Sequence, residues 1–471
     1  MPANAIQDSF VDPDDLRTCF TLAMSSMYKS EVPLYGDLVR IVSDVNEKTL
    51  QSRLDPKTLS MRYGDALGPS PRIDIERHGA IRLGTARELH TVRRILAIIG
   101  LHPVGYYDLT AAGLPMHATC FRPKTRESLA KNPFRLFVSV LRPELIKDAA
   151  ASDLALDLLA SRNIFTPELT SLLDGADSQN GRLTPAQGTR FVAAAMESFR
   201  WHGTAAASPH DYAALRAAHP VLADVACFPS AHVNHLTPRT LDIAAAHEAM
   251  GRAGLEVKAR IEGPPARRCP ILLRQTSFLA VEEPVRFAAD DGGARASHRA
   301  RFGEVEERGA AVTPRGRRLY DALLDEAMAA AGARESPEAL DDAVARVFAR
   351  YPDTWEDLRA QDLVYFAYRV RGRLAAAVER AAYTVDELVR LGVVEASPIT
   401  YEDFLPLSAA GIFQSNLGAG PARALDAEMD VEGLQAALGV GLGDADDLYR
   451  RLRDASVDEC AAQLGVEISL V

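Results

Sequence analysis

Apolar residues recur with a period of two over short runs of this chain and near 3.6 over longer ones, and the order of the two rhythms is itself repeated. In IDIERHGAIRLGT, Ile73 to Thr85, an extended chain puts Asp74, Glu76, His78, Ala80 and Arg82 on one side and Ile73, Ile75 and Ile81 on the other. The plainer reading of that polar side is a solvent-facing edge strand. TARELHTVRRILAIIG follows, with Leu89, Val92, Leu96 and Ile99 at helical spacing, Thr85 and Glu88 as a capping box and Gly100 as the stop. Three strand-like runs come next: PVGYYDL (Pro103 to Leu109), MHATCFR (Met116 to Arg122) and FRLFVSVL (Phe134 to Leu141). The predicted order is βαβββ.

About 150 residues later the order returns. SAHVNHL reads as a strand, Thr237 caps a helix with Pro238 at its first position, and the pattern runs to a stop at Gly254. LEVKARI, ILLRQTSFLAV and RARFGEVEERG then read as three strands. Both copies carry a histidine in the first strand, His78 and His235, and both leave the helix through Gly-Leu. The expected class is α+β, with two βαβββ modules pairing into an eight-stranded half-barrel surrounded by helical segments. Thr-Pro starts at Thr166, Thr184 and Thr313 mark helices of that shell. The expected organisation is a helical segment over 1–70, a first module over 71–145 and a helical insertion over 146–228. A second module over 229–312, helices over 313–395 and a segment over 396–471 that closes the active site complete it.

Composition narrows the function. The 471 residues, 47% hydrophobic and 25% charged, suffice for a large core, and a net charge of -11 without a basic, aromatic-interleaved run argues against nucleic acid as a partner. Five scattered cysteines with no CxxC pair argue against a disulfide framework or a thiolate zinc site and fit a reducing, cytoplasmic setting. The first residues show no signal-peptide pattern, and no apolar run is long enough to span a membrane. DGADSQNGRLT lacks the spacing of an EF-hand, and GVGLGD follows a helical pattern where a dinucleotide loop would follow a strand.

Paired βαβββ modules resemble the vicinal oxygen chelate superfamily, in which metal ligands come from the first and last strands of each module. That resemblance points to His78, His235 and Glu304, while FRLFVSVL offers no fourth ligand. His232 rivals His235, and Glu306 rivals Glu304 on the same strand face; FGEVEER resembles the ligand strand of the hydroxyphenylpyruvate dioxygenase group and favours Glu304. Two histidines and a carboxylate leave about half an octahedral shell open, which suits Fe(II) binding an oxo acid and dioxygen.

ERHGAIR, FPSAHVNHLTPRTLD, ILLRQTSF, FGEVEERG and YEDFLPLSAAGIFQSNL, in this order, resemble the 2-oxoadipate dioxygenase/decarboxylase family, also called hydroxyglutarate synthase. The resemblance implies an Fe(II) enzyme of lysine breakdown that converts 2-oxoadipate and O2 to D-2-hydroxyglutarate and CO2. It implies His78, His235 and Glu304 as metal ligands and catalytic residues, Arg82 as a clamp on a substrate carboxylate, and Leu407 and Ser408 as further substrate contacts. Gln275 is a candidate second polar contact, equally readable as a structural hydrogen bond. A regular strand separates the α-carbons of His78 and Arg82 by about 13 Å, within reach of a long side chain and an extended diacid. A glyoxalase-type isomerase or lyase, a dioxygenase of another 2-oxo acid and a metal-free binding protein are the competing readings. The first of these usually needs the missing fourth ligand, and the last does not need the three residues together.

Overall fold

The computed structural model describes residues 10–51, 76–288, 295–331, 337–374, 381–405, 425 and 427–470. Its centre is a seven-stranded sheet. The strands and their small companions are β1 (Glu76–Leu83), β2 (His102–Asp108), β3 (Met116–Arg122), β4 (Arg135–Leu141), β5 (Thr204–Ala205), β6 (His235–Pro238), β7 (Leu273–Ser277), β8 (Glu282–Phe287), β9 (Ala296–Arg299) and β10 (Phe302–Arg308). The central sheet has the order β2-β3-β4-β1-β6-β10-β7. β1 lies parallel to β4 and β6 parallel to β10, while β1 and β6 meet antiparallel at the middle. Each module therefore contributes the same parallel pair, with an antiparallel neighbour outside it. The repeat read from the sequence is realised as a curled, two-module half-barrel.

The first module follows its sequence pattern closely. Helix Ala86–Ile98 starts at Thr85, whose side chain accepts from the Glu88 N–H, and Gly100 adopts φ 73°, a left-handed stop that glycine takes without strain. Glu88 does not close the expected capping box. Its carboxylate instead accepts from the Gly84 N–H and pairs with Arg162, both buried. Thr166, Thr184 and Thr313 stand immediately before helices Pro167–Ser178, Pro185–Phe199 and Pro314–Ala331 as expected.

The second module departs from its pattern at three points. Of the expected strand SAHVNHL only His235 and Leu236 are regular, and the strand runs on through Thr237 and Pro238, which do not start a helix. The helix begins at Ile243 with Asp242 as cap, because the Thr237 hydroxyl donates to Glu304 while the Asp242 side chain accepts from the Ala245 N–H. LEVKARI forms no strand; Val257 bridges Phe278, just past β7, and Glu262, one residue beyond LEVKARI, bridges Gln275 of β7. Five residues on one side thus span three on the other, and the two prolines that follow Gly263 have no N–H for a ladder. The expected eighth strand is a bulged ribbon. β8 and β9, a charged hairpin joined to β5, have no counterpart in the sequence reading.

The sheet divides the core. On its convex side Ile81, Leu136, Val138 and Leu236 pack with Phe20, Met24 and Leu38 of helices Pro13–Glu31 and Pro33–Gln51. On its concave side Ala80, Ala118, Cys120 and Phe137 belong to a second cluster that includes Phe404. β1 lies between β4 and β6 and is buried along its whole length, so it is not a solvent-facing edge strand. A register shift between Glu76 and His78 also breaks the expected alternation. Glu76 accepts from Ser25 and Tyr35 of the convex-side helices, whereas Arg77 donates to Glu402. Asp74, Ile73 and Ile75 lie outside the described residues.

Candidate metal centre

Register brings three side chains to one face. His235 stands opposite Ala80 in the antiparallel pair and opposite Phe302 in the parallel one. Cross-strand partners share a face and alternate residues repeat it, so His78, His235 and Glu304 converge on the concave side. Their ligand atoms lie within 4.8 Å of one another, and all three residues are at most 4% exposed. His78 Nε2 is 3.0 Å from Glu304 Oε1, and His235 Nε2 is 4.0 Å from the same oxygen. The equivalent of Glu304 in the first module is Phe137, two residues beyond the Arg135 that pairs with His78. Its ring packs at 5.0 Å against Phe404, whose ring stands edge-on to His78 at 4.8 Å. That apolar side chain is the physical form of the missing fourth ligand.

Hydrogen bonds orient each member. Glu306 Oε2 is 2.7 Å from His78 Nδ1, and Arg308 and Arg135 hold the same carboxylate. Burial would raise Glu306, but Arg308, Arg135 and His78 outweigh it and hold the carboxyl well below the usual range. The ionised Glu306 can only accept, so Nδ1 carries the proton and Nε2 faces Glu304. Glu304 takes the Thr237 hydroxyl at Oε1 and the Gln275 amide at Oε2, both at 3.2 Å. Burial, with His78 and Arg82 adding to it, pushes His235 well below its ordinary value and keeps its imidazole neutral. Lys258 also acts on His235 electrostatically; it is buried on the bulged ribbon and paired with Glu262 at 2.7 Å.

The other candidates fall elsewhere. Gln275 serves the carboxylate of Glu304, the structural alternative of its sequence reading. Arg82 is buried and its NH1 donates to Asp224 Oδ2 at 2.5 Å. His232 belongs to a separate cluster with Asp224 and His298, and Glu306 supports His78 without joining the three. Leu407 and Ser408 lie outside the described residues. Asp224, His298, Lys258 and Glu402 escaped the sequence reading. Asp224 sits on a helix, Lys258 on the bulged ribbon, Glu402 outside the strands and helices, and His298 on the short strand β9, and the approach of these segments to the site leaves no periodic signal.

The donor set fits a metal ion. With the Nδ1 proton committed to Glu306, His78 Nε2 and Glu304 Oε1 are lone-pair atoms 3.0 Å apart, a contact that needs a proton or a cation between them. Ligand atoms at right angles around an ion with bonds of ~2.1 Å lie ~3.0 Å apart, and opposite ones ~4.2 Å, so both measured separations are within range. Two imidazoles and one carboxylate in a buried concave sheet form a donor set that could hold one metal ion and leave it open positions.

A model of the 2-oxoadipate dioxygenase/decarboxylase family matches residues 20–416. The chain is 44% identical over 471 residues to a 2-oxoadipate dioxygenase/decarboxylase of Pseudomonas putida, covering 99% of both. It is 45% identical over 455 residues to its counterpart in Escherichia coli, covering 96% of this chain and 98% of the relative. A solved Pseudomonas putida hydroxyglutarate synthase in complex with 2-oxoadipate superposes with a TM-score of 0.84 at 42% identity, covering 97% of this chain and 99% of the other. The chain belongs to the 2-oxoadipate dioxygenase/decarboxylase family, and its relatives are enzymes acting on a 2-oxo acid. Among the described residues no helix is long and apolar enough to cross a membrane.

Proposed function

We propose that this chain is an Fe(II)-dependent dioxygenase/decarboxylase that converts 2-oxoadipate and O2 to D-2-hydroxyglutarate and CO2 in the breakdown of lysine. The observation that carries the reading is the 3.0 Å approach of His78 Nε2 to Glu304 Oε1, with His235 beside them, behind an Nδ1 proton already committed to Glu306. His78, His235 and Glu304 would hold the metal. Fe(II) supplies the Lewis acidity that chelates a 2-oxo acid and the electrons that activate dioxygen.

The chain's own residues do the rest. Glu306 fixes the His78 tautomer, and Thr237 and Gln275 fix both oxygens of Glu304, so the three ligands are oriented before any ligand arrives. Arg82 binds the carboxylate remote from the 2-oxo group, leaving the 2-oxo acid end for the metal. One substrate molecule supplies both the carbon lost as CO2 and the carbon that is hydroxylated, so no second oxo acid is required. Phe404 covers His78, and Glu402 of the same segment pairs with Arg77 and Arg135, which supports a closing role for residues 396–471. Leu407 and Ser408 are carried into this reading as further substrate contacts on the family resemblance alone. The free cysteines agree with a cytoplasmic enzyme.

The test is stoichiometry. Iron-loaded enzyme given 2-oxoadipate should consume O2 and release CO2 and 2-hydroxyglutarate in a 1:1:1 ratio without another oxo acid. Decarboxylation that continues unchanged without O2, or a product other than 2-hydroxyglutarate, would remove the reading.

A further inference from the structure

Arg82 is held by a buried cluster outside the metal centre. Asp224, on the short helix Pro220–Ala226, presents Oδ2 to Arg82 NH1 at 2.5 Å. Its Oδ1 accepts from His298 Nε2 at 2.9 Å and His232 Nε2 at 3.1 Å. Behind His298, the Tyr212 hydroxyl lies 3.0 Å from Nδ1, and Trp201 stacks on the imidazole with centroids 5.8 Å apart and planes 10° from parallel. Phe228 packs against both imidazoles. Asp224, His232 and His298 are each at most 4% exposed.

Two imidazoles and a carboxylate could be taken for a second metal site, but charge and protonation favour a different role. Burial pushes His232 down, and its Nδ1 has no hydrogen-bond partner among the described residues, so a protonated ring would bury an unsatisfied N–H. His232 Nε2 and His298 Nε2 both point at Asp224 Oδ1, and because an ionised carboxylate can only accept, both nitrogens donate. Burial would raise Asp224, yet Arg82 and His232 hold it well below the usual range. One carboxylate charge is thus matched by one guanidinium, with two imidazole donors fixing its direction. A divalent ion would add two positive charges beside that guanidinium. The cluster is complete as a mount for Arg82.

We propose that Asp224, braced by His232 and His298, is a positioning residue that aims Arg82 at the remote carboxylate and so sets the enzyme's preference for dicarboxylic 2-oxo acids. The inference rests on the proposed role of Arg82. A guanidinium carries its N–H donors in a fixed plane, so a carboxylate bound at NH1 sets the orientation of the whole fork. Arg82 shares the β1 face of His78, two residues beyond the Ala80 that pairs with His235, and its charge acts on His235. A tilt of the guanidinium would therefore be felt at the far end of a substrate anchored on the metal side.

The experiment compares 2-oxoadipate, as substrate, with 2-oxohexanoate, the same carbon chain without the remote carboxylate, as a competitor of the iron-loaded holoenzyme. For Asp224→Asn the KM for 2-oxoadipate should rise by about tenfold or more, in line with losing a charged hydrogen bond. The inhibition constant of 2-oxohexanoate should stay within about twofold and iron content should not change, because a competitor without that carboxylate does not use the clamp. Tyr212→Phe and His298→Gln should shift the same ratio in the same direction by smaller factors, and they carry the test if Asp224→Asn does not fold. Arg82→Gln separates the two levels of the argument. If it erases the diacid preference while the Asp224, His298 and Tyr212 variants leave that preference intact, the positioning role is wrong and Arg82 stands. If Arg82→Gln itself leaves the preference intact, the reading of Arg82 falls and the inference falls with it. An equal loss for both compounds in the Asp224 variant would show a merely structural role and overturn the proposal.

Discussion

His78 Nδ1 and Glu306 Oε2 stand 2.7 Å apart, with Arg308 and Arg135 on the same carboxylate. This pair, two residues along the strand from Glu304, makes one nitrogen of His78 a donor and leaves the other facing Glu304, where the proposed metal would bind. A carboxylate that orients a metal-ligating histidine typically contributes 10–100-fold to metal affinity. Glu306→Gln should therefore weaken Fe(II) binding by about that factor in an equilibrium titration, while Glu304→Ala abolishes it. Wild-type affinity in Glu306→Gln would show that the pair does not serve the metal. Glu306→Ala is a poorer probe, because it leaves two buried arginines facing a lost charge, a change that costs about 3–5 kcal/mol.

Gly303 lies between Phe302 and Glu304, and a methyl group there would sit 2.4 Å from Phe278 Cε1 and 2.8 Å from Leu38 Cδ2. Both neighbours are buried side chains of the convex core. Gly303→Ala should lower unfolding stability by about 1–3 kcal/mol in urea titration, the usual cost of overpacking. It should also reduce iron occupancy, since β10 must shift with Glu304 on it. Unchanged stability would mean that the convex core yields at this point.

Arg82→Lys keeps the charge but loses the planar two-point grip on a carboxylate. KM for 2-oxoadipate should rise and kcat fall with iron content unchanged, and misplacing the reacting carbon by about 1 Å can cost on the order of a hundredfold. Steady-state oxygen uptake checks this. Near-wild-type kinetics would confine Arg82 to its bond with Asp224.

Stability should fall as the solution becomes acidic, in two stages. His232, His117 and His219 are pushed below their ordinary value, chiefly by burial, so the unfolded chain binds protons first as pH drops through about 6.5. Burial would raise Asp224 and Glu402, but buried arginines outweigh it and hold both below the usual carboxylate range. Their stabilisation is complete above the unfolded value of about 4 and is lost as pH falls through the folded one. In both cases the unfolded state takes up more protons, so unfolding free energy rises with pH. Urea unfolding at pH 7.5, 6, 5 and 4 should show a steady decline that steepens below about 4.5. Greater stability at pH 5 than at pH 7.5 would contradict this assignment of charges.

The first module was legible because its elements are long and regular: MHATCFR is β3 residue for residue, and Thr85 and Gly100 bound their helix as the pattern says. The second was less so, for a physical reason. Thr237-Pro238 looks like a helix start, but the threonine is engaged by Glu304, a partner distant in sequence. His78 and His235 could be matched through the repeat, and Glu304 through a family-like strand. Glu306, by contrast, looked like a competitor of Glu304. Only the bond to His78 Nδ1 gives it a separate role, and spacing along one strand cannot reveal a contact between strands. The polar face of β1 was visible, but its burial was not, because period-two alternation is the same whether water or a buried polar cluster lies on one side.

The most direct test of the account is metal content measured together with turnover. Enzyme loaded with iron and freed of excess should carry one Fe(II) per chain and oxidise 2-oxoadipate. Chelation should abolish turnover and Fe(II) should restore it. His78→Ala, His235→Ala and Glu304→Ala should each lose both iron and activity while remaining folded by circular dichroism. A folded His235→Ala or Glu304→Ala variant that kept wild-type iron and wild-type turnover would contradict the account at its centre.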